Sequence, residues 1–440
     1  MSISRYEFSM VSDPSCLNFH EEDWNKDEQT GVPIRNYAKI LFKDSLFGFF
    51  PYSEIYYRDS GGQIVDNVFF VEGLEFKCKL GYIKKDEEKT TIDKTNSFYT
   101  DYLEHEYIWS ANEINNIKFA SAISGDNVFM MISKYFFNDY PKSKAFNHES
   151  STALLTITQI LKTKILPAWG MVNSKKYFIS DSKGTPFLMQ SNVTNKDFIS
   201  KLAEYCYSQN SISSGYYTFI NCNGDFYFMT LHDMLKQNPV MEYKIDLTTE
   251  MMTDQTYLKD YRVLQGGVPV NFDNYNRKVY RYKATGTSIA DTRLITDAIT
   301  DLDPNTKLLV RDPYIPKNTY TKVTYAGIQD ETNGEELYKG FYNYYYRDTA
   351  LCYRMVIVID FNSNCVSGKT IRVQVNKRVN GDERAGEFEG NWIICESIHI
   401  MDRNGIPYTQ LTISKPEVKI DSNHTFFKDF KNGSGTVVTL

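Results

Sequence analysis

What the sequence lacks narrows it first. No stretch reaches 18 apolar residues, so no segment is a candidate for a helical membrane span. The opening MSISRYEFSMVSDPSCLNFHEEDW has no apolar core and turns acidic, which argues against a signal peptide. No two cysteines are spaced Cys-x-x-Cys and no two histidines His-x-x-x-His, so the local signatures of a zinc site are missing. There is no G-x-S-x-G nucleophile elbow. Lysine and arginine, 49 together against 55 Asp and Glu, form no run, and the net charge is −6. Phosphate contacts dominate nucleic-acid affinity, so this balance argues against a dedicated nucleic-acid binder. The seven cysteines are odd in number and widely spaced, a pattern of reduced thiols in a cytosolic protein.

What is abundant is aromatic: 33 Tyr and 28 Phe in 440 residues. These residues suit pleated, half-buried strand surfaces. Tyr is also favoured at subunit interfaces, where the ring is buried and the hydroxyl stays wet. Length alone suggests about three domains.

Along the chain, residues 1–35 read as an extended arm or a poorly ordered end. Short aromatic or β-branched runs follow at Ala38–Phe42, Ser45–Phe50, Glu54–Arg58, Asn67–Val71, Glu75–Tyr82, Phe98–Ser110, Ile117–Ala122 and Asn127–Tyr135, with Lys84–Lys94 as a charged loop. The period then changes. Ser151–Leu166 predicts an amphipathic helix capped at Ser150 or Ser151 and ended by Pro167. Lys196–Tyr207 predicts a second, capped by Thr194 or Asn195. Tyr216–Cys222 and Phe226–Leu231, joined by Cys222-Asn-Gly224, give the strongest hairpin signal in the chain. Val279–Lys283 reads as a strand, Asp291–Thr300 as a short helix and Asp301–Asn318 as loop. Strands return at Tyr338–Tyr346, Arg354–Asp360, Thr370–Lys377, Asn391–His399 and Tyr408–Ser414.

The expected fold is mainly β with α+β insertions. Residues 1–35 form the arm, 36–145 a first barrel-like domain, 146–235 a helix and hairpin middle, 236–416 a second barrel-like domain and 417–440 a polar tail.

Chemistry is thinner. Ser367-Gly-Lys-Thr370 looks like the end of a phosphate-binding loop, but Ser363 stands where that loop needs Gly, and the motif leads into a strand rather than a helix. A turn with an exposed Lys is the better account. His399 lies between Ile398 and Ile400, a paired strand position rather than a catalytic one. The acidic clusters Glu21-Glu-Asp23 and Asp86-Glu-Glu88 lie in polar, loop-like sequence. The runs Phe341-Tyr-Asn-Tyr-Tyr-Tyr346 and Phe226-Tyr-Phe228 invite a carbohydrate reading, yet strand packing and subunit contact explain them more simply. No catalytic, cofactor or metal residues are assigned. The structural or interface candidates are Trp392, His399, Tyr408, Tyr344, Tyr345 and Phe226.

Two segments together resemble a known family. The first runs from Lys196-Asp-Phe-Ile-Ser-Lys-Leu-Ala-Glu-Tyr205 through Gly215-Tyr-Tyr-Thr-Phe219 to Asn223-Gly-Asp-Phe-Tyr-Phe228. The second runs from Val366-Ser-Gly-Lys-Thr-Ile371 through Gly390-Asn-Trp-Ile-Ile-Cys-Glu-Ser-Ile-His399 to Tyr408-Thr-Gln-Leu-Thr-Ile-Ser-Lys415. They resemble the central segment and closing strands of the bacteriophage baseplate central hub proteins, the late control family of contractile tails and related secretion spikes. The resemblance covers residues 200–430, and the first strand block only by topology.

It implies a structural, non-enzymatic subunit of the virion tail baseplate, assembled in the host cytoplasm. Two similar barrels in a homotrimer would present six quasi-equivalent barrels to a hexameric tail tube protein, with a spike protein on the other face. Other baseplate proteins would surround it and DNA would only pass through the bore, with no membrane insertion. Closed rings need repeating heterologous contacts. Such permanent interfaces bury roughly 2,000–5,000 Å², a use for the Tyr and Phe surplus. The rivals are a receptor-binding or fibre-attachment tail protein and a glycan-acting enzyme.

Overall fold

A computed structural model describes residues 2–10, 18–20, 37–58, 74–84, 99–109, 126–147, 153–206, 208, 215–246, 262–267, 278–284, 292–295, 323–329, 351, 353–376, 390–402 and 407–415. The first block contains β1 (Ser2–Met10), β2 (Asn18–His20), β3 (Tyr37–Ser45), β4 (Tyr52–Arg58), β5 (Glu75–Lys84), β6 (Tyr99–Trp109), β7 (Asp126–Ser133) and the one-turn helix α1 (Lys134–Phe137). The middle contains β8 (Lys142–Phe146), helix α2 (157–168), β9 (Tyr177–Ile179), β10 (Leu188–Val193), α3 (Asn195–Tyr205), β11 (Tyr216–Ile220), β12 (Phe226–Thr230) and α4 (Leu231–Leu235). The last part contains β13 (Met241–Asp246), β14 (Arg262–Gly267), β15 (Lys278–Ala284), β16 (Thr292–Ile295), β17 (Val323–Gln329), β18 (Tyr353–Asp360), β19 (Thr370–Asn376), β20 (Gly390–Asp402) and β21 (Pro407–Lys415).

The fold is mainly β, as the sequence predicts, and apart from the one-turn α1 the described helices lie in the middle. The two strand blocks form one sheet of thirteen strands, running β14-β18-β21-β20-β3-β4-β7-β6-β5-β1-β2, with β13 and β19 as a branch. Among the described residues this path does not close on itself. The blocks are joined by β20, which pairs with β19 over Gly390–Ile393 and with β3 over Glu396–Asp402. The change of partner falls at Cys395, where the ladder with β21 also shifts register. A bulge of this kind bends a strand and re-aims it.

The hairpin β11–β12 is buried on both faces, which is why Phe226-Tyr-Phe-Met-Thr230 is so apolar throughout. Tyr216, Ile220, Phe226 and Phe228 pack into a core with Trp169, Phe198 and Leu202 from α2 and α3. The opposite side chains, Tyr217, Phe219 and Tyr227, pack against Leu46, Ile393 and Cys395 of the sheet. A third core, with Trp392, Ile357, Ile371, Leu411 and Ile413, fills the last block.

Several expectations are revised. Helix α2 starts later than predicted, because Thr156 and Gln159 form a capping box: Thr156 Oγ1 accepts from Gln159 N at 3.3 Å and Gln159 Oε1 from Thr156 N at 2.9 Å. It also passes Pro167. A π turn at Leu161–Ile165 precedes the proline, and Trp169 N still donates to Ile165 O at 3.0 Å. A widened turn accommodates a residue that has no N–H and a bulky ring. In the stretch predicted as helix at Asp291–Thr300, Thr292–Ile295 is a strand paired with β15, so pairing outweighs helical propensity there. Ser45–Phe50 is not a strand: Gly48 N donates to Ser45 O, closing a turn. Ser2–Met10, in the predicted arm, pairs antiparallel with β5. Its Tyr6, Phe8 and Met10 recur with the period of a strand. The predicted strands Asn67–Val71, Ile117–Ala122 and Tyr338–Tyr346, most of the 84–94 loop and the tail lie outside the described residues.

Candidate functional site

Among the described residues, a dense polar arrangement sits where the helix–hairpin middle meets the β3–β20 seam. Ile40, Phe42 and Asp44 alternate onto the inward face of β3, so a carboxylate is carried into the interior with only 2% of its surface exposed. Asp44 Oδ2 accepts from Cys222 N at 2.6 Å, and Oδ1 from Ser367 N at 3.1 Å and Ser397 Oγ at 2.6 Å. One side chain thus ties the first block to the hairpin, to the β18–β19 connection and to β20. Burial pushes the Asp44 carboxyl above its ordinary range, and these donors oppose that shift.

The hairpin turn is built to reach this point. Asn221 Oδ1 accepts from both Asn223 N and Asp225 N at 3.0 Å, and Gly224 takes a left-handed φ of 72°. Asn223 Nδ2 then donates to Ser363 O at 3.2 Å, while Ser363 N and Oγ donate to Asp101 of β6.

Ser367-Gly-Lys-Thr370 is a turn leading into a strand, as expected, but its lysine is not a free surface charge. Lys369 Nζ lies 4.0 Å from the centre of the Phe178 ring, a cation–π contact. Burial lowers its pKa. Gly368 has φ of 85°, and a Cβ there would lie 2.6 Å from Phe219 Cζ and 2.9 Å from Tyr227 Cε1. Gln237 Nε2 donates to Gly368 O at 2.9 Å, and Thr370 Oγ1 to Met234 O at 2.9 Å. The turn is a socket for the hairpin.

Of the sequence candidates, His399 is fully buried. Its Nε2 lies 3.4 Å from Ser397 Oγ and its Nδ1 3.0 Å from Thr409 Oγ1. Because Ser397 Oγ donates to Asp44, it accepts from Nε2–H, which leaves Nδ1 to accept from the Thr409 hydroxyl. Burial drives the His399 pKa down to about 3. Trp392 and Phe226 are also fully buried, in the last-block core and the middle core. Lys415 Nζ lies 5.3 Å from the centre of the Trp392 ring. Tyr408 is half-buried, opposite Asp360 on β18 and Ile400 on β20. Tyr344 and Tyr345 lie outside the described residues. Sequence reasoning missed Asp44, although its place in the alternation with Ile40 and Phe42 was the available signal.

No family model and no curated protein matches the chain. Among solved structures it is similar to a tail protein from Neisseria meningitidis MC58, with a TM-score of 0.46 and 9% identity over 94% of this chain and 98% of that one. It is likewise similar to the 43 kDa tail protein of prophage MuSo2 from Shewanella oneidensis, with a TM-score of 0.46 and 10% identity over 94% and 98% of the two chains. A third is the E. coli c3393 protein, a component of the type VI secretion system described as similar to T4 bacteriophage tail proteins. It matches with a TM-score of 0.40 and 9% identity over 89% of this chain and 76% of that one.

Proposed function

We propose that the chain is a structural subunit of a phage tail baseplate, the central hub, forming a trimeric ring between a hexameric tail tube and a central spike. The observation that carries this reading is internal to the chain. The two segments that resemble the hub family, 196–228 and 366–415, are distant in sequence, yet they meet in one packed joint through Gly368, Phe219 and Tyr227. Asp44 then fastens that joint to the first strand block. A hub must hold its parts in fixed relation while bearing on different partners above and below. A single sheet braced by a doubly buried hairpin supports that role.

Light scattering on the purified chain and negative-stain imaging test the reading. A three-fold ring with an open bore is expected. A compact monomer that persists at high concentration overturns it.

A further inference from the structure

The hairpin turn carries a chemically labile pair. Asn223 precedes Gly224, and an Asn-Gly sequence is open to attack from within, because glycine puts no side chain between its own backbone N and the asparagine Cγ. Four more such pairs begin at Asn333, Asn380, Asn404 and Asn432. The turn needs both residues. Gly224 has φ of 72°, and a Cβ there would lie 3.0 Å from His105 Nδ1 and 3.5 Å from Lys176 Nζ. Asn223 Nδ2 donates to Ser363 O at 3.2 Å. An ionised aspartate in its place only accepts, and would set a carboxylate against that carbonyl oxygen. The fold therefore keeps the labile pair for its geometry.

The same geometry holds the pair inert. Reaction requires Gly224 N to turn freely onto Asn223 Cγ. Instead Gly224 N donates to Asn221 O at 2.9 Å. Asn223 N donates to Asn221 Oδ1 at 3.0 Å, and Asn223 O accepts from Lys176 Nζ at 2.7 Å. The side-chain amide is fixed on Ser363, whose own N and Oγ donate to Asp101 of β6. The attacking nitrogen, the amide under attack and the peptide unit between them are thus each tied down. They come free together only when the hairpin parts from the Ser363 connection.

We infer that Asn223 is a latent modification site, inert while the joint is closed and converted irreversibly to aspartate or isoaspartate in chains whose joint has opened. The reaction needs only water. Gly224 N bonds to Asn223 Cγ, the Cγ–Nδ2 bond breaks, and ammonia leaves with the proton that Gly224 N gives up. The succinimide so formed takes up one water and opens at either carbonyl. Both products lack the amide donor to Ser363 O, and both add a negative charge to a turn that already carries Asp225 and faces Asp101 through Ser363. Isoaspartate also routes the main chain through Cβ and Cγ, which lengthens the turn by one atom. A converted turn no longer fits its seat, so the change is a one-way mark on opened chains. It stands whether or not the chain forms a ring, so ring imaging and this chemistry fail independently.

The test ages the full chain in mildly alkaline buffer, with and without unfolding urea, and follows Asn223 by peptide mapping in a mass spectrometer. The chemistry is slow beside opening and closing, so its rate is that of the free turn multiplied by the fraction of open joints. Conversion in the folded chain should be at least about ten-fold slower than in urea. Asp101→Ala releases Ser363 and should speed Asn223 at least about three-fold in the folded chain while leaving the other four pairs unchanged. Its melting transition is the folding control. Chains aged in urea and then refolded need no variant: modified Asn223 should be depleted from the folded fraction. Equal rates with and without urea, a folded Asp101→Ala with no acceleration specific to Asn223, or modified Asn223 as abundant in the folded fraction as outside it overturns the inference.

Discussion

Asp44 and Ser397 stand directly opposite each other across the β3–β20 seam, and the Ser397 hydroxyl donates to the Asp44 carboxylate at 2.6 Å. Around this pair the hairpin, the Ser367 turn and the His399 strand are held to one another. The first prediction follows from the number of donors that converge there. Asp44→Ala leaves two backbone N–H groups and a hydroxyl buried without acceptors, at about 1–3 kcal/mol each before relaxation. A loss of about 3–5 kcal/mol in urea unfolding is expected. A loss below 1 kcal/mol would show that water fills the site and that the carboxylate is not the fastening point.

Gly368 and Gly390 offer a matched comparison. Both have positive φ, 85° and 120°, but only Gly368 has neighbours where a Cβ would go. Gly390→Ala carries backbone strain alone, about 1–2 kcal/mol. Gly368→Ala adds a collision with the Phe219 and Tyr227 rings, a further 1–3 kcal/mol or so. Chemical denaturation of the two variants side by side should rank Gly368→Ala as the more damaging, and the reverse order would remove the socket.

Trp392→Ala should cost about 3–5 kcal/mol, since the ring is fully buried among Ile371, Ile394 and Ile413. An unchanged melting temperature would contradict the packing of the last block.

His399 and His105 set the acid limb of the stability curve. Burial holds both near a pKa of about 3, and for His105 the nearby Lys176 and Lys134 add to it. Unfolding returns each to the ordinary value of 6.5, so between pH 6.5 and 3 the unfolded chain binds more protons than the folded one. Their contribution is complete above pH 6.5 and is lost as pH falls toward 3. Asp44 acts in the opposite sense, because its carboxyl is raised in the folded chain. Asp139, raised by burial, acts like Asp44, while Glu104, held low by Lys77 and Lys79 against its own burial, acts with the histidines. The two histidine shifts, from 6.5 to about 3, carry the balance, so melting temperature should fall from pH 7 to pH 4. His399→Gln should lower proton uptake on unfolding at pH 5 by about one. Identical slopes of stability against pH in both proteins would rule out a neutral His399.

Much of this architecture was legible in the sequence because its signals are local. Thr194 caps α3, accepting from Asp197 N at 3.1 Å. Cys222-Asn-Gly224 turns the hairpin as its composition demands, and the closing strands follow their β-branched runs. What stayed hidden depends on distant partners. Pro167 reads as a stop, and only the preceding π turn, packed beneath Trp169, lets the helix pass it. Asp139, which the sequence does not single out, accepts from Asn195 N and Lys196 N at 2.6 and 2.9 Å, bracing the start of α3. Gly368 looks like any turn glycine until Phe219 and Tyr227 are brought against it.

The partner change along β20 has a consequence for how the chain is made. Asp44 and Ser397 are 353 residues apart. At ordinary translation speeds of about 5–20 residues per second, roughly 20–70 s separate the synthesis of β3 from that of the strand that covers its edge. Through that interval one side of β3 lacks its final neighbour, and uncovered strand edges invite association with other nascent chains. The geometry that unites the two halves thus makes biogenesis slow and concentration-sensitive. Yield on expression should improve with slower induction and lower temperature more than with any change at the surface.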